Sequence, residues 1–190
     1  MNSAGVNALT LSMTDPYSQQ PELKHAAVNI EKAELPWQLA ILRKGGEGRF
    51  ASLALLEKAR SLLACFAYAS VGLYGRSEQL VVFRAAMSDA LAEDQLLEID
   101  ELFGLDGDEP AVVYVDQRRQ ISKRAIAVDG KLTGVRLAGE TLAQSWLKEA
   151  MADNALDAAL IRWAVAPIGN PPNPQLEKSR IVCVCADITE

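Results

Sequence analysis

The residues best suited to chemistry in this chain are its three cysteines and single histidine. Cys183 and Cys185 stand one residue apart in the run Arg180-Ile181-Val182-Cys183-Val184-Cys185. In an extended segment, alternation puts both side chains on one face, so two thiolates can reach a single soft metal. An iron–sulfur cluster of the [2Fe–2S] type takes four thiolates, so this pair is half a ligand set. Cys65 falls in the apolar stretch Leu62 to Ala69 and reads as a small buried hydrophobe. His25 has no nucleophile near it in sequence, which leaves no basis for a Ser-His-Asp arrangement. Gly45-Gly46-Glu47-Gly48 lacks the spacing of a dinucleotide or Walker loop. Arg118, Arg119, Lys123 and Arg124 cluster about a turn and are expected in a solvated loop, with a docking surface as the second reading. Glu98, Asp100 and Glu101 follow a helical pattern and are expected to face water. No H-E-x-x-H, acidic metal cluster or paired catalytic carboxylates occur.

Bulk properties narrow the partners. With 49% apolar and 23% charged residues in 190, the chain has the composition of a globular protein of one to two domains. A net charge of −6 and a pI near 4.9 argue against nucleic acid or an anionic membrane as the main partner. The stretch Leu62 to Ala69 is far shorter than the roughly 20 apolar residues of a membrane span. No basic-then-apolar leader pattern opens the sequence. Three cysteines make no disulfide framework, so a reducing cytoplasm is the expected compartment.

The elements that must position these groups are read as α+β. Residues 1–33 are turn-rich, with Asp15-Pro16 and Gln20-Pro21 ahead of the extended run Ala26 to Ile30. Ordering roughly 30 residues costs about 45 kcal/mol at about 1.5 per residue, and so few large apolar groups cannot offset it. This segment needs a partner surface. Residues 34–105 read as a small α/β unit. Trp37 to Leu42 is a strand; a helix carries Leu55, Leu56, Ala59, Leu62, Leu63 and Phe66 and ends at Gly72 or Gly75. Gln79 to Phe83 is a second strand, and Ser88 or Asp89 caps a helix with Leu96, Ile99, Leu102 and Phe103 inward. The acidic turn cluster GLDGDEP divides this unit from the next.

Residues 106–168 read as three strands and helices. Ala111 to Val115 is one strand; Lys123 to Val128 and Leu132 to Leu137 form a hairpin through Asp129-Gly130. Thr141 and Gln144 match a capping box, opening a helix with Leu147, Ala150 and Met151 inward. A second helix has Leu156, Leu160 and Trp163 on one side. Residues 169–190 comprise the stiff linker NPPNPQ and the cysteine pair.

Two further patterns carry a resemblance. VNALT…DPYSQQPELKHAAVNIEK, with N-x-L-T, D-P-x-S and Q-P-E-x-K in order, resembles the last segment of the molybdopterin-dinucleotide-binding domain, a β-barrel, in the molybdenum oxidoreductase superfamily. VYVDQRRQISKRAIAVDGKLTGVRLAGETLAQSWLKEAM is similar to a region that follows that domain in assimilatory nitrate reductase large subunits. It also resembles the β-β-β-α domain closing flavin-dependent pyridine-nucleotide reductases. RIVCVCADITE resembles the opening of a bacterioferritin-associated-ferredoxin-type [2Fe–2S] module, whose C-x-C is followed at a distance by C-x-x-C. The order of these resemblances matches bacterial assimilatory nitrate reductase.

The resemblance implies a C-terminal piece of that enzyme, cut within the iron–sulfur module and not expected to turn over by itself. Asn7 and Thr10 would contact the pterin, and Gln20 and Lys24 would reach molybdopterin guanine dinucleotide from the second turn, completing only part of its site. Cys183 and Cys185 would supply half the cluster ligands. The partners implied are the remainder of the polypeptide and a redox donor protein or domain, with residues 34–168 as spacer and docking platform. Two other readings stand beside it: a free-standing adaptor module, and the tail of a flavin-dependent NAD(P)H nitrite reductase, which Gln20-Pro21-Glu22-Leu23-Lys24 disfavours.

Overall fold

The computed structural model describes residues 32–46, 49–75, 79–107, 109–152, 161–170, 181–183 and 188–189. The chain divides between Glu34 and Leu35, and every strand and helix described lies in the second unit.

A run with apolar side chains on alternate and intervening positions alike must be covered on both faces. Trp37–Lys44 (β1) is such a run. Trp37, Leu39 and Ile41 point into one core, and Ala40 and Leu42 into another. β1 accordingly lies inside a six-stranded antiparallel sheet of order β2-β3-β1-β6-β5-β4. The other strands are Tyr68–Tyr74 (β2), Leu80–Met87 (β3), Ala111–Asp116 (β4), Ile121–Val128 (β5) and Lys131–Ala138 (β6). The helices are Arg49–Arg60 (α1), Glu93–Phe103 (α2) and Gln144–Ala152 (α3), with 3-10 turns at Ser61–Cys65 and Arg162–Val165. The fold class is α+β.

Two cores sandwich the sheet. On one face Leu56 and Ala59 of α1 and Leu96, Ile99 and Phe103 of α2 pack over Leu39, Ile41, Val81 and Phe83. Phe83 lies between Phe66 and Phe103, its ring centroid 5.6 and 5.8 Å from theirs. On the other face Trp146, Leu147 and Met151 of α3 join Ile161 and Ala164 over Leu42, Val135 and Leu137. Segments 34–105 and 106–168 each contribute three strands to this one sheet, joined where β1 pairs with β6.

Several sequence expectations change here. The helix expected to run to Gly72 stops earlier: α1 ends at Arg60, the 3-10 turn at Cys65, and Tyr68–Tyr74 is an edge strand paired with β3. Aromatic and β-branched residues at Tyr68, Val71 and Tyr74 suit a pleated surface better than a helix interior. Cys65, expected inside, is exposed at the end of that turn. The second helix is not capped by Ser88 or Asp89, whose side chains bond each other. It starts at Glu93, where Gln95 Oε1 accepts from the Ala92 amide at 3.0 Å. Its end follows the rule for left-handed caps: Gly104 at φ 61° gives its amide to Glu101, the Leu105 amide bonds the Asp100 carbonyl at 2.7 Å, and Leu105 is buried behind. The Thr141 hydroxyl does not cap α3; it donates to Gln38 Oε1 at 2.9 Å. The Asp129-Gly130 hairpin forms as expected, with φ 50° and 74° at its two central residues, the two-residue turn that matches strand twist. Leu156 and Leu160 lie outside the described residues.

A candidate docking edge and the ion pairs behind it

β4 closes one side of the sheet, and among the described residues it pairs only with β5. Its sequence, AVVYVD, has no Lys, Arg or Pro within it. Native edge strands are usually guarded by charge, proline or a bulge, because an open row of amides and carbonyls templates another strand. Here Val113, Tyr114 and Val115 are 55%, 40% and 49% exposed.

Alternation sends these side chains to opposite faces, and each face carries a groove. Beside Tyr114 a groove of about 420 Å³ is walled by Arg162, Trp163, Val165 and Pro167. The Arg162 guanidinium lies 5.7 Å from the Trp163 ring centroid, a cation–π distance. Beside Val115 a groove of about 340 Å³ is walled by Trp37, Leu91, Leu96 and Gln120. An incoming strand would find main-chain partners along β4 and a groove for side chains of either parity, the arrangement of strand-addition sites.

Buried charges tie β5 and β6, the strands next to this edge, to α2 and to the loop before α3. Arg136 on β6 donates from Nε to Asp100 Oδ1 of α2 at 2.7 Å, and from Nη1 to the carbonyl and hydroxyl of Ser122 on β5, each at 3.2 Å. Asp100 is fully buried and Arg136 nearly so, which corrects the expectation that Asp100 faces water; Glu98 and Glu101 do face it. Burial pushes the Asp100 carboxyl up from its ordinary value, against the pull of Arg136. The reason is visible in its second oxygen: Oδ2 is buried without a hydrogen-bond partner among the described residues. Lys123, expected in a solvated loop, is also buried; Nζ pairs with Glu140, whose other carboxylate oxygen accepts from the Leu142 amide. That clamp fixes the loop leading into α3. Arg118 and Arg119 are exposed in the β4–β5 turn.

The residues singled out from the sequence fall elsewhere. Asn7, Thr10, Gln20, Lys24 and His25 lie outside the described residues, as does Cys185. Cys183 ends a short strand, Ile181–Cys183 (β7), opposite Ile188 in Ile188–Thr189 (β8). Among the described residues no three His, Cys, Asp or Glu side chains converge as a metal site would require, and no helix is long and apolar enough to cross a bilayer. The docking edge was missed in the sequence because AVVYV is apolar at every position, the pattern of an inner strand. No family model, curated protein or solved structure matches the chain.

Proposed function

We propose that this chain is the C-terminal part of a molybdenum-dependent bacterial assimilatory nitrate reductase, acting in the cytoplasm. One observation carries the reading: three motif groups, N-x-L-T/D-P-x-S/Q-P-E-x-K, the VYVDQ…KEAM segment and C-x-C, follow one another in that enzyme's order. The donor sets suit the groups in kind. The amides of Asn7 and Gln20 can pair in both directions with a heterocycle edge, and Lys24 neutralises phosphate. Cys183 and Cys185 offer two thiolates of the four in a [2Fe–2S] cluster. When bound, the molybdenum group would supply the redox centre at which nitrate is reduced to nitrite, and the cluster would supply the electrons for it. This chain's own work is structural: residues 34–168 space the two cofactor regions, and the β4 edge receives the rest of the polypeptide or a redox donor.

The test is genetic. The coding DNA should continue in frame, with an N-terminal cysteine cluster upstream and C-x-x-C downstream. Disrupting it should abolish growth on nitrate and leave growth on ammonium unchanged. Unimpaired growth on nitrate overturns the reading. It would favour the adaptor module, for which the exposed β4 edge speaks independently.

A further inference from the structure

We propose that the chain by itself forms a symmetric dimer in which β4 pairs antiparallel with β4 of a second copy, joining the two six-stranded sheets into one. The inner side of the strand sets the parity of its open side. The Pro110 carbonyl accepts from the Ala127 amide at 3.3 Å, so the main-chain groups of Val112, Tyr114 and Asp116 turn toward β5. Those of Ala111, Val113 and Val115 turn outward. Two identical edges that meet antiparallel have their twofold axis normal to the sheet, which keeps each face on its own side and pairs residues of one parity. Val113 opposite Val113 of the second copy, with Ala111 opposite Val115, meets that condition, and each such pair exchanges two main-chain bonds.

Two features select a second copy as the occupant. β4 is apolar from Ala111 to Val115 with Val113, Tyr114 and Val115 exposed, so its own sequence supplies apolar cross-strand neighbours on both faces of the joined sheet. The two ends of the strand also carry opposite charge. Ahead of it the run GLDGDEP is acidic, with Asp106 exposed. After it the turn into β5 presents Arg118 and Arg119, both exposed and without an ion pair among the described residues. Antiparallel pairing brings the basic turn of each copy beside the acidic run of the other, twice per dimer, whereas a parallel arrangement would set like charge against like. Glu109 lies beside Arg43, so Asp106 carries this complementarity. Asp116 is engaged within its own copy, its Oδ1 accepting from the Arg119 amide at 3.1 Å. The other charges at the two grooves, Arg162 beside Tyr114 and Glu93 beside Val115, belong to opposite faces.

This pairing is independent of the nitrate reductase reading, and a redox donor that uses the same edge would have to displace the second copy. Sedimentation equilibrium of the full 20.6 kDa chain tests it. A reversible monomer–dimer equilibrium is expected, with Kd on the order of 10–100 μM, as fits an interface at the small end of specific contacts. Val113→Lys should leave the chain monomeric over that range. Arg118→Glu with Arg119→Glu in one variant, and Asp106→Lys in another, should each weaken dimerisation by about tenfold or more. An equimolar mixture of these two variants should associate as the wild type does, because both charge contacts are attractive again in the mixed dimer. Unchanged circular dichroism and urea midpoints separate loss of pairing from loss of fold. A wild type that stays monomeric up to about 1 mM overturns the proposal. So does a dimer that survives Val113→Lys, or a mixture of the charge variants that associates no better than either alone.

Discussion

Asp100 ties α2 to β6 through Arg136, which itself reaches on to β5, and the surroundings of the Asp100 carboxyl decide how it responds to pH. Removing this carboxylate leaves the buried Arg136 guanidinium uncompensated, so Asp100→Asn should destabilise the fold by about 3 kcal/mol at pH 7, read by urea unfolding. Asp100→Leu with Arg136→Met should recover most of that loss, because no charge is then left buried. The titration has an unusual sign. The folded state holds the Asp100 proton more tightly than the unfolded chain does. Its contribution is therefore fully present below the ordinary value of 3.8 and declines as pH rises from there through the raised value. The stability gap between wild type and Asp100→Asn should narrow as pH rises above about 4; a gap that widens contradicts the assignment. Cys65 supplies a second prediction. Exposed at the end of a 3-10 turn, it should alkylate in the native protein at the rate of an accessible thiol, and protection until unfolding would refute its placement. Gly139 supplies a third. At φ 83°, with a Cβ driven into the Gln120 carbonyl, Gly139→Ala should cost about 2–3 kcal/mol or more in thermal unfolding.

At the scale of elements the two edges of the sheet differ. Both β2 and β4 pair on one side; β2 is flanked by α1 and the 3-10 turn after it and carries one large exposed apolar side chain, Tyr68, whereas β4 meets the Arg162–Val165 turn and carries three. Placing a lysine at Val113 should block strand addition, as natural edges do, while changing stability by no more than about 0.5 kcal/mol because the side chain is already in water. The readout is association, by self-interaction chromatography or with a redox partner, against an unchanged urea midpoint. Equal association by wild type and Val113→Lys would remove β4 as the docking edge. The elements also show where pattern reading works. Ala111 to Val115, Lys123 to Val128 and Leu132 to Leu137 were legible as strands because β-branched runs were separated by turn residues. The region Phe66 to Tyr74 was not, because it continues from a helix without a break and its residues fit either period over so short a span.

For the molecule as a whole, both cores depend on one sheet. β1 contributes to each, so Leu42→Ala on one face should cost about 3 kcal/mol, within the range of buried Leu truncations, and unfold both faces in one transition. Separate transitions for the tryptophans on opposite faces, Trp37 and Trp146, would contradict that unity. With the molybdenum ligands of the proposed enzyme absent from this sequence, the purified chain should show no nitrate reduction with an artificial electron donor above a heat-killed control.

The features legible from the residues alone are local: the α+β class, the hairpin at Asp129-Gly130, the inward faces of α2 and α3, and the exposure of Glu98 and Glu101. These come from periodicity and turn chemistry, which neighbouring residues set. The remaining features depend on contacts between segments far apart in the chain. Asp100 and Lys123 are charged residues in polar-looking stretches, and they became buried because Arg136 and Glu140, distant in sequence, arrive as partners. AVVYV became an edge and not a centre because strand order depends on which strands compete for its other side, a contest that no single segment records. The cleft lined by Arg43, Lys58 and Thr133 likewise exists only where β1, α1 and β6 meet, since its walls come from residues as much as 90 positions apart, which only folding brings together.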